Sequence, residues 1–318
     1  MLVLQLVAGL GLLVLGGDFL VRGSVGLAER WNISPLLIGI VLVGFGTSTP
    51  ELMTSLIAAL DGAPGIAVGN VVGSNSANIL FILGVAAVLS PLRADPRALL
   101  RDGLVMLFAA IACLALSYIG TIHRVSGLLL VLSLTAYLLV TYLAERGTNS
   151  PSAQMHRAEG RATTARPWSQ SYPALGALAV SGLALTLLGA KWLVDGSVDL
   201  ARQFGISETV IGLTIVAVGT SLPELVTSVV AALKRQSDIA FGNIVGSNIY
   251  NILGILGFTA LITPIDVPAR IIAFDIWIML GATVLLLAFA HTGHRVSRRE
   301  GAVLLCAYGL YIGTLASA

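Results

Sequence analysis

The chain has 318 residues, of which 56% are hydrophobic and 11% are charged, and its mean hydropathy is +0.93. Soluble domains carry about 25% charged residues, so this composition excludes an ordinary soluble protein and indicates an integral membrane protein. The formal net charge of +2 gives no indication of a nucleic-acid partner, and none is expected.

Ten apolar segments are long enough to cross a bilayer as helices, which takes about 17–25 residues each. In chain order, the predicted spans are 3–24, 35–60, 66–90, 103–119, 124–144, 173–202, 207–233, 239–263, 271–290 and 299–316. The two cysteines, Cys113 and Cys306, lie inside spans without the spacing of a metal site, so we expect them to be packing residues. The sequence thus predicts an all-α membrane protein with ten transmembrane helices.

Residues 44–84 and 217–257 are two copies of one segment. They align without a gap, position 44 with 217 and position 84 with 257, and 25 of the 41 aligned positions are identical. Each copy places a glutamate, Glu51 or Glu224, directly after a proline inside an apolar span. A carboxylate at membrane depth is costly and by default marks an ion or substrate path. Internal repeats are typical of secondary transporters, whose binding site lies where the repeats meet.

A polar segment, 145–172, separates five predicted spans from five others. We therefore expect residues 1–144 and 173–318 to be two five-helix repeats joined by a linker. Because five is an odd number, the second repeat enters the membrane from the opposite face, so the repeats are inverted. Fourteen Lys and Arg residues lie on the linker's side and three on the other. Since positive residues concentrate on the cytoplasmic side, the linker is predicted to be cytoplasmic and both termini outside, in the cell (inner) membrane.

The motif 46–51, G-T-S-T-P-E, and its copy at 219–224, G-T-S-L-P-E, predict a break in the second span of each repeat. Proline lacks an N–H and interrupts helical hydrogen bonding, so carbonyl groups at 44–47 and 217–220 should be released. In a bilayer such groups persist only where they line a cavity or bind something. Carbonyl, hydroxyl and carboxylate oxygens suit Ca²⁺, Na⁺ or Mg²⁺ and not a soft metal.

Polar residues also recur at i, i+4 and i+8 along four spans, which places each set on one helix face. The four sets are Thr47, Glu51 and Ser55; Asn70, Ser74 and Asn78; Thr220, Glu224 and Ser228; and Asn243, Ser247 and Asn251. In hydrophobic helices these faces can converge only by facing one another, and two glutamates would balance one divalent cation. Hydrogen bonding between neighbouring helices remains the alternative for Ser55, Ser228, Asn75 and Asn248.

The paired motifs G-T-S-x-P-E and G-N-x-V-G-S-N-x-x-N resemble the two α-repeats of the cation/calcium exchanger superfamily, and in particular its prokaryotic sodium/calcium exchanger branch. The resemblance covers the full length of the chain. It implies antiport of Ca²⁺ against Na⁺ by alternating access, with no cofactor and no obligate partner beyond the ions and the lipid bilayer. It also implies a site at the membrane midplane, between broken helices 2 and 7 and helices 3 and 8.

The resemblance carries a ligand set over to this sequence. The Ca²⁺ site would use the carboxylates of Glu51 and Glu224 with the carbonyls of Thr47 and Thr220. Flanking Na⁺ sites would use Ser48, Ser74, Ser221 and Ser247, with the carbonyls of Gly44 and Ala217, and Asn78 and Asn251 would complete the centre. Potassium-coupled relatives have Asp at the position of Asn251, so potassium coupling is not expected. Calcium/proton exchangers have Glu where this chain has Gly73 and Gly246, which favours Na⁺ as the counter-ion.

Three other functions compete with this one. A Ca²⁺/H⁺ or other cation/H⁺ antiporter remains open, because glutamates that take up protons in the absence of a cation would also couple transport. An ion channel could use carbonyl and carboxylate rings as a filter, but a self-contained inverted repeat favours a moving transporter over a static pore. An intramembrane enzyme has least support, because the sequence contains no H-E-x-x-H or G-x-S-x-G motif.

Overall fold

The computed structural model describes residues 2–31, 33–93, 96–145, 171–204 and 217–316. Its helices are α1 (Leu2–Trp31), α2 (Pro35–Thr47), α3 (Thr49–Leu60), α4 (Pro64–Leu89), α5 (Pro96–Tyr118), α6 (Arg124–Glu145), α7 (Tyr172–Gln203), α8 (Ala217–Thr220), α9 (Leu222–Leu233), α10 (Ser237–Ile262), α11 (Ile271–His294) and α12 (Arg298–Ala316). Most of the predicted linker, and the start of the span predicted at 207–233, lie outside the described residues.

Seven helices in the described ranges are long and apolar enough to cross a membrane, and there are eight if α2 and α3 count as one bent span. The protein is therefore a helical, multi-pass membrane protein. Helix α12 begins with three charged residues, and α9 is a shorter apolar helix whose preceding residues, 205–216, are not described. The apolar windows of α4 and α10 are 72% and 83% buried, against 28–39% for the other five, so these two helices form the centre of the fold.

Helices α1 and α7 pack closely through glycines. A Cβ on Gly16 would lie 2.5 Å from the Thr186 nitrogen, and one on Gly23 would lie 2.5 Å from the Ala179 nitrogen. Small residues let two backbones approach each other this closely in membrane proteins. Along this contact the residue numbers rise on α1, from Gly16 to Gly23, while they fall on α7, from Thr186 to Ala179. The two helices therefore run antiparallel and form one packed pair.

In the described residues, four two-residue strands form two antiparallel ladders. The sequence did not predict these strands. Strand β1 (Leu92–Arg93) pairs with β4 (Arg295–Val296), and β2 (Thr121–Ile122) pairs with β3 (Ile265–Asp266). Strands this short leave no alternating pattern in a sequence. Each ladder joins the first half of the chain to the second.

The predicted break in the second span is confirmed. Helices α2 and α3 meet at Ser48 with an angle of 44°. In the second half of the chain, Ser221 separates α8 from α9. Three π-helical turns lie close to these breaks, at Gly39–Gly44, Asn78–Leu83 and Tyr250–Leu256. Such turns are rare and occur frequently at functional sites.

Candidate ion-binding site

The two glutamates are held by serines from opposite halves of the chain. The Ser48 hydroxyl donates to Glu224 Oε1 at 2.8 Å, and the Ser221 hydroxyl donates to Glu51 Oε1 at 3.0 Å. Both serines lie at the helix breaks, and both glutamates lie in the first turn after them. The breaks therefore bring four of the predicted site residues together at the centre of the fold.

One oxygen of each carboxylate has no hydrogen-bond donor among the described residues. Glu51 Oε2 and Glu224 Oε2 are both buried and unpaired, and so are the amide oxygens of Asn78 and Asn251. Burying such oxygens without a partner is costly, and a bound cation removes that cost. The described residues contain no cluster of three or more His, Cys, Asp or Glu side chains. Two carboxylates among neutral oxygens are instead a donor set for Ca²⁺ or Na⁺.

Two asparagines position the glutamate-bearing helices. Asn70 Nδ2 donates to the carbonyl of Glu51 at 3.0 Å and to Ser55 Oγ at 2.8 Å. Asn243 makes the same two bonds in the second half, to the glutamate carbonyl at 3.2 Å and to Ser228 Oγ at 2.8 Å. Ser55 and Ser228 therefore take part in hydrogen bonds between neighbouring helices, which was the alternative to ion binding that the sequence left open.

Asparagines also join α4 to α10. Asn251 Nδ2 donates to Ser74 Oγ and to Asn75 Oδ1, both at 3.0 Å. Asn75 Nδ2 in turn donates to the carbonyl of Asn248 at 3.3 Å. Asn75 thus acts in helix packing, whereas Asn251 is oriented by two bonds and keeps its amide oxygen unpaired.

The Gly44 carbonyl is not released, so that part of the sequence-based expectation was wrong. It accepts the Ser48 N–H at 3.2 Å and the Ser247 hydroxyl at 3.1 Å. Pro50 lacks the N–H that would reach the carbonyl of Gly46, four residues earlier, and the Thr49 hydroxyl donates to that carbonyl instead, at 2.8 Å. The structure does place two predicted Na⁺ ligands, Gly44 and Ser247, in direct contact.

Two other predicted ligands, Thr47 and Ser74, make hydrogen bonds within their own helices. The Thr47 hydroxyl donates to a carbonyl of its own preceding turn at 2.9 Å. The Ser74 hydroxyl donates to a carbonyl of its own helix at 3.3 Å, so it does not repeat the bond that Ser247 makes across helices. Ligation by the carbonyls of Thr47, Thr220 and Ala217 stays a prediction.

Two further buried carboxylates were missed by the sequence analysis. Tyr137 Oη donates to Asp102 Oδ1 at 3.1 Å, and Tyr311 Oη donates to Asp275 Oδ1 at 3.0 Å. The two aspartates occupy equivalent positions of the two halves, as the glutamates do, so a search along the repeat would have found them. These bonds tie α5 to α6 and α11 to α12, which makes them packing contacts of each half.

A sequence model of the family described as "Sodium/calcium exchanger protein" matches residues 1–143 and 174–316. The chain belongs to the sodium/calcium exchanger family. The exchanger is accordingly a membrane transporter and not an enzyme. The two matched segments nearly coincide with the two repeats expected from the sequence.

Three relatives illustrate the similarity. The exchanger is 36% identical over 341 residues to the sodium/calcium exchanger MaX1 of Methanosarcina acetivorans, covering 98% of this chain and 97% of the relative. It is 36% identical over 287 residues to the inner membrane protein YrbG of Escherichia coli, covering 88% and 86%. A solved structure of the sodium-calcium exchanger NCX_Mj superimposes with a TM-score of 0.84 at 32% identity, covering 99% of this chain and 98% of that one.

A cavity of about 130 Å³ lies beside the serine that holds one of the exchanger's two glutamates. Its polar lining comes from Asn70, Ser74 and Ser221, and helix α12 contributes Tyr308 and Tyr311. Ser221 is the residue that hydrogen-bonds to Glu51. The lining of the cavity therefore includes a hydroxyl group that is bonded directly to one of the two carboxylates.

Proposed function

We propose that the protein is an antiporter that exchanges Ca²⁺ for Na⁺ across the membrane by alternating access. The observation that carries the proposal is the pair of buried glutamates, each with one unpaired oxygen and each bonded to a serine of the other repeat. Membership of the sodium/calcium exchanger family and the similarity to NCX_Mj support the same function.

In this proposal, Glu51 and Glu224 bind one Ca²⁺ and neutralise its charge. Ca²⁺ takes six to eight oxygen ligands, and the carbonyls of Thr47 and Thr220 with the amide oxygens of Asn78 and Asn251 supply further ones. Na⁺ ions bind beside the same carboxylates. Their ligands are the hydroxyls of Ser48, Ser74, Ser221 and Ser247 and the carbonyls of Gly44 and Ala217. These ions are the cargo, and the proposal includes no cofactor.

The proposed architecture has ten transmembrane helices in two inverted repeats, residues 1–144 and 173–318, joined by a cytoplasmic linker at 145–172. The antiparallel packing of α1 and α7 supports the inversion, as do the equivalent asparagine bonds in the two halves. With both termini outside, the linker and Arg93 face the cytoplasm. The name of the relative YrbG supports a place in the inner membrane.

Na⁺ is the proposed counter-ion because the site holds more neutral oxygens than carboxylates. Several monovalent ions can share two negative charges when hydroxyl and carbonyl groups complete their coordination. Gly73 and Gly246 provide no second pair of carboxylates to carry protons. Na⁺ and Ca²⁺ should therefore compete for the same two charges.

Radiocalcium uptake into sealed vesicles tests the function. Vesicles that contain the purified protein are loaded with Na⁺ and diluted into Na⁺-free buffer, and a parallel sample receives a pH gradient instead. We expect uptake to follow the Na⁺ gradient and to fall when Na⁺ is added on the Ca²⁺ side. Uptake that follows the pH gradient and ignores Na⁺ would instead identify a proton-coupled antiporter.

A further inference from the structure

Three charged positions of the first half recur in the second half with every sign reversed. In the alignment that matches the two repeats, Asp18 corresponds to Lys191, Arg22 to Asp195, and Asp61 to Lys234. Reversing both members of a pair keeps their attraction. Asp18 and Lys234 therefore attract each other, and so do their counterparts Lys191 and Asp61.

The structure forms only one of these two ion pairs. Lys234, directly after α9, pairs with Asp18 of α1. Asp61, directly after α3, forms no ion pair with any residue in the described part of the chain. Lys191 of α7 instead pairs with Asp195 on its own helix at 3.0 Å, and its side chain is 69% exposed against 28% for Lys234.

Helix packing shows the same asymmetry. A Cβ on Gly17 of α1 would lie 3.1 Å from Val226 Cγ1 and 3.4 Å from Val230 Cγ2, so α1 lies directly on α9. The counterparts of these two valines in α3 are Met53 and Ile57, which are 49% and 50% exposed. Helix α7 therefore does not cover α3 as α1 covers α9.

We propose that the two ion pairs are alternating latches. Asp18 and Lys234 hold α1 against α9 in the conformation described here, and Lys191 and Asp61 hold α7 against α3 in the opposite conformation. The glycine contacts make α1 and α7 one packed pair, so a shift that separates α1 from α9 brings α7 towards α3. The inference rests on the alternating-access function proposed above.

The expected effect of each latch is modest. A partly exposed ion pair shifts an equilibrium by roughly two- to fivefold, because solvent screens its charges. Each latch therefore biases the ratio of the two conformations and does not lock either one. Because the two latches close in opposite conformations, neutralising one latch should shift the ratio in the direction opposite to neutralising the other.

Two cysteine reporters measure this ratio. Leu225 lines the cavity, and Leu52 is its counterpart in the first half. In a background with Cys113→Ala and Cys306→Ala, Leu225→Cys or Leu52→Cys is labelled with an impermeant thiol reagent in right-side-out and inside-out vesicles. The rate at position 225 divided by the rate at position 52 reports the conformational ratio without any transport measurement.

We expect Asp18→Asn and Lys234→Gln to lower this ratio two- to fivefold. Because Asp18 also pairs with Arg22 on its own helix at 2.8 Å, the pair is reversed together with Arg22, and the variant Asp18→Lys/Arg22→Asp/Lys234→Asp is expected to recover the ratio. Asp61→Asn is expected to raise the ratio by a similar factor. The control Asp266→Asn removes an exposed carboxylate away from both latches and should leave the ratio unchanged. A ratio that moves in the same direction for Asp18→Asn and Asp61→Asn, or that does not move, overturns the proposal, as does a failure of the reversed pair to recover it.

Radiocalcium uptake is measured on the same vesicles. Uptake that ignores both Na⁺ and pH gradients refutes the proposed antiport, while the labelling ratio still decides whether the latches exist. Uptake that follows Na⁺, together with labelling ratios that are the same in all variants, refutes the latches alone. The two failures are therefore distinguishable.

Discussion

Gly73 and Gly246 occupy equivalent positions in the two halves, but their surroundings differ. A Cβ on Gly246 would lie 2.7 Å from the Ile40 Cα and 2.9 Å from the Ile40 carbonyl oxygen. A Cβ on Gly73 would meet nothing within 4 Å, because this glycine lines the cavity. The pair of substitutions Gly246→Ala and Gly73→Ala therefore tests the asymmetry of the structure with one added methyl group.

The difference in stability can be estimated by comparing the two variants. Alanine in place of glycine favours a helix by about 1 kcal/mol at either position, so this contribution cancels. Forcing extra volume against a backbone that cannot retreat costs about 1–3 kcal/mol. We therefore expect Gly246→Ala to be less stable than Gly73→Ala by about 1–3 kcal/mol. Thermal unfolding of the purified protein in detergent measures this as a lower Tm for Gly246→Ala.

Transport provides a second readout. If the two halves exchange conformations, Gly73 takes the close-packed position in the opposite state. Gly73→Ala should then be at least as stable as the unmodified protein but transport Ca²⁺ more slowly. Equal Tm values for the two variants would refute the assigned packing, and full transport by Gly73→Ala would refute the exchange of conformations at this contact.

Three further predictions concern the ligands and the topology. Glu51→Gln and Glu224→Gln should each reduce radiocalcium transport by about a hundredfold or more, since losing one charge of a buried ionic site costs about 3–5 kcal/mol; full transport in both variants would disprove the site. Ser247→Ala should raise the Na⁺ concentration that half-inhibits Ca²⁺ uptake about fivefold, the equivalent of one hydrogen bond, and should change Ca²⁺ affinity less; equal effects on both ions would contradict the Na⁺ assignment. A cysteine at Ser152 should react with an impermeant thiol reagent only from the cytoplasm, and a cysteine at Ala63 should react only from outside. Labelling of both positions from one face would exclude the inverted topology.

Much of the site could be predicted from the sequence because the segment that contains it occurs twice in the chain. The gapless alignment of the two repeats matched Glu51 with Glu224 and Ser48 with Ser221, and proline in an apolar span indicated where the helix breaks. These inferences depend only on local chemistry and on the cost of burying a carboxylate in a membrane.

Hydrogen bonds between residues far apart in the chain could not be predicted in this way. Proline in the motif predicts a released Gly44 carbonyl, but Ser247 of the other half donates to it. The sequence also leaves the roles of Ser55 and Asn75 open, because a polar residue on a helix can bind an ion or a neighbouring helix equally well. The contact that decides between them depends on how α3, α4 and α10 pack.

The sequence by itself determined the membrane class, the repeat, the helix breaks and the two glutamates, since each follows from composition or from the conformational limits of single residues. The tertiary structure decided which serine holds which glutamate and which of two nearly equivalent contacts is closed. The two halves have similar sequences, so the sequence alone does not determine which of two equivalent contacts forms. The ion pair between Asp18 and Lys234, and the close approach of Gly246 to Ile40, exist only in the arrangement that the packed helices adopt.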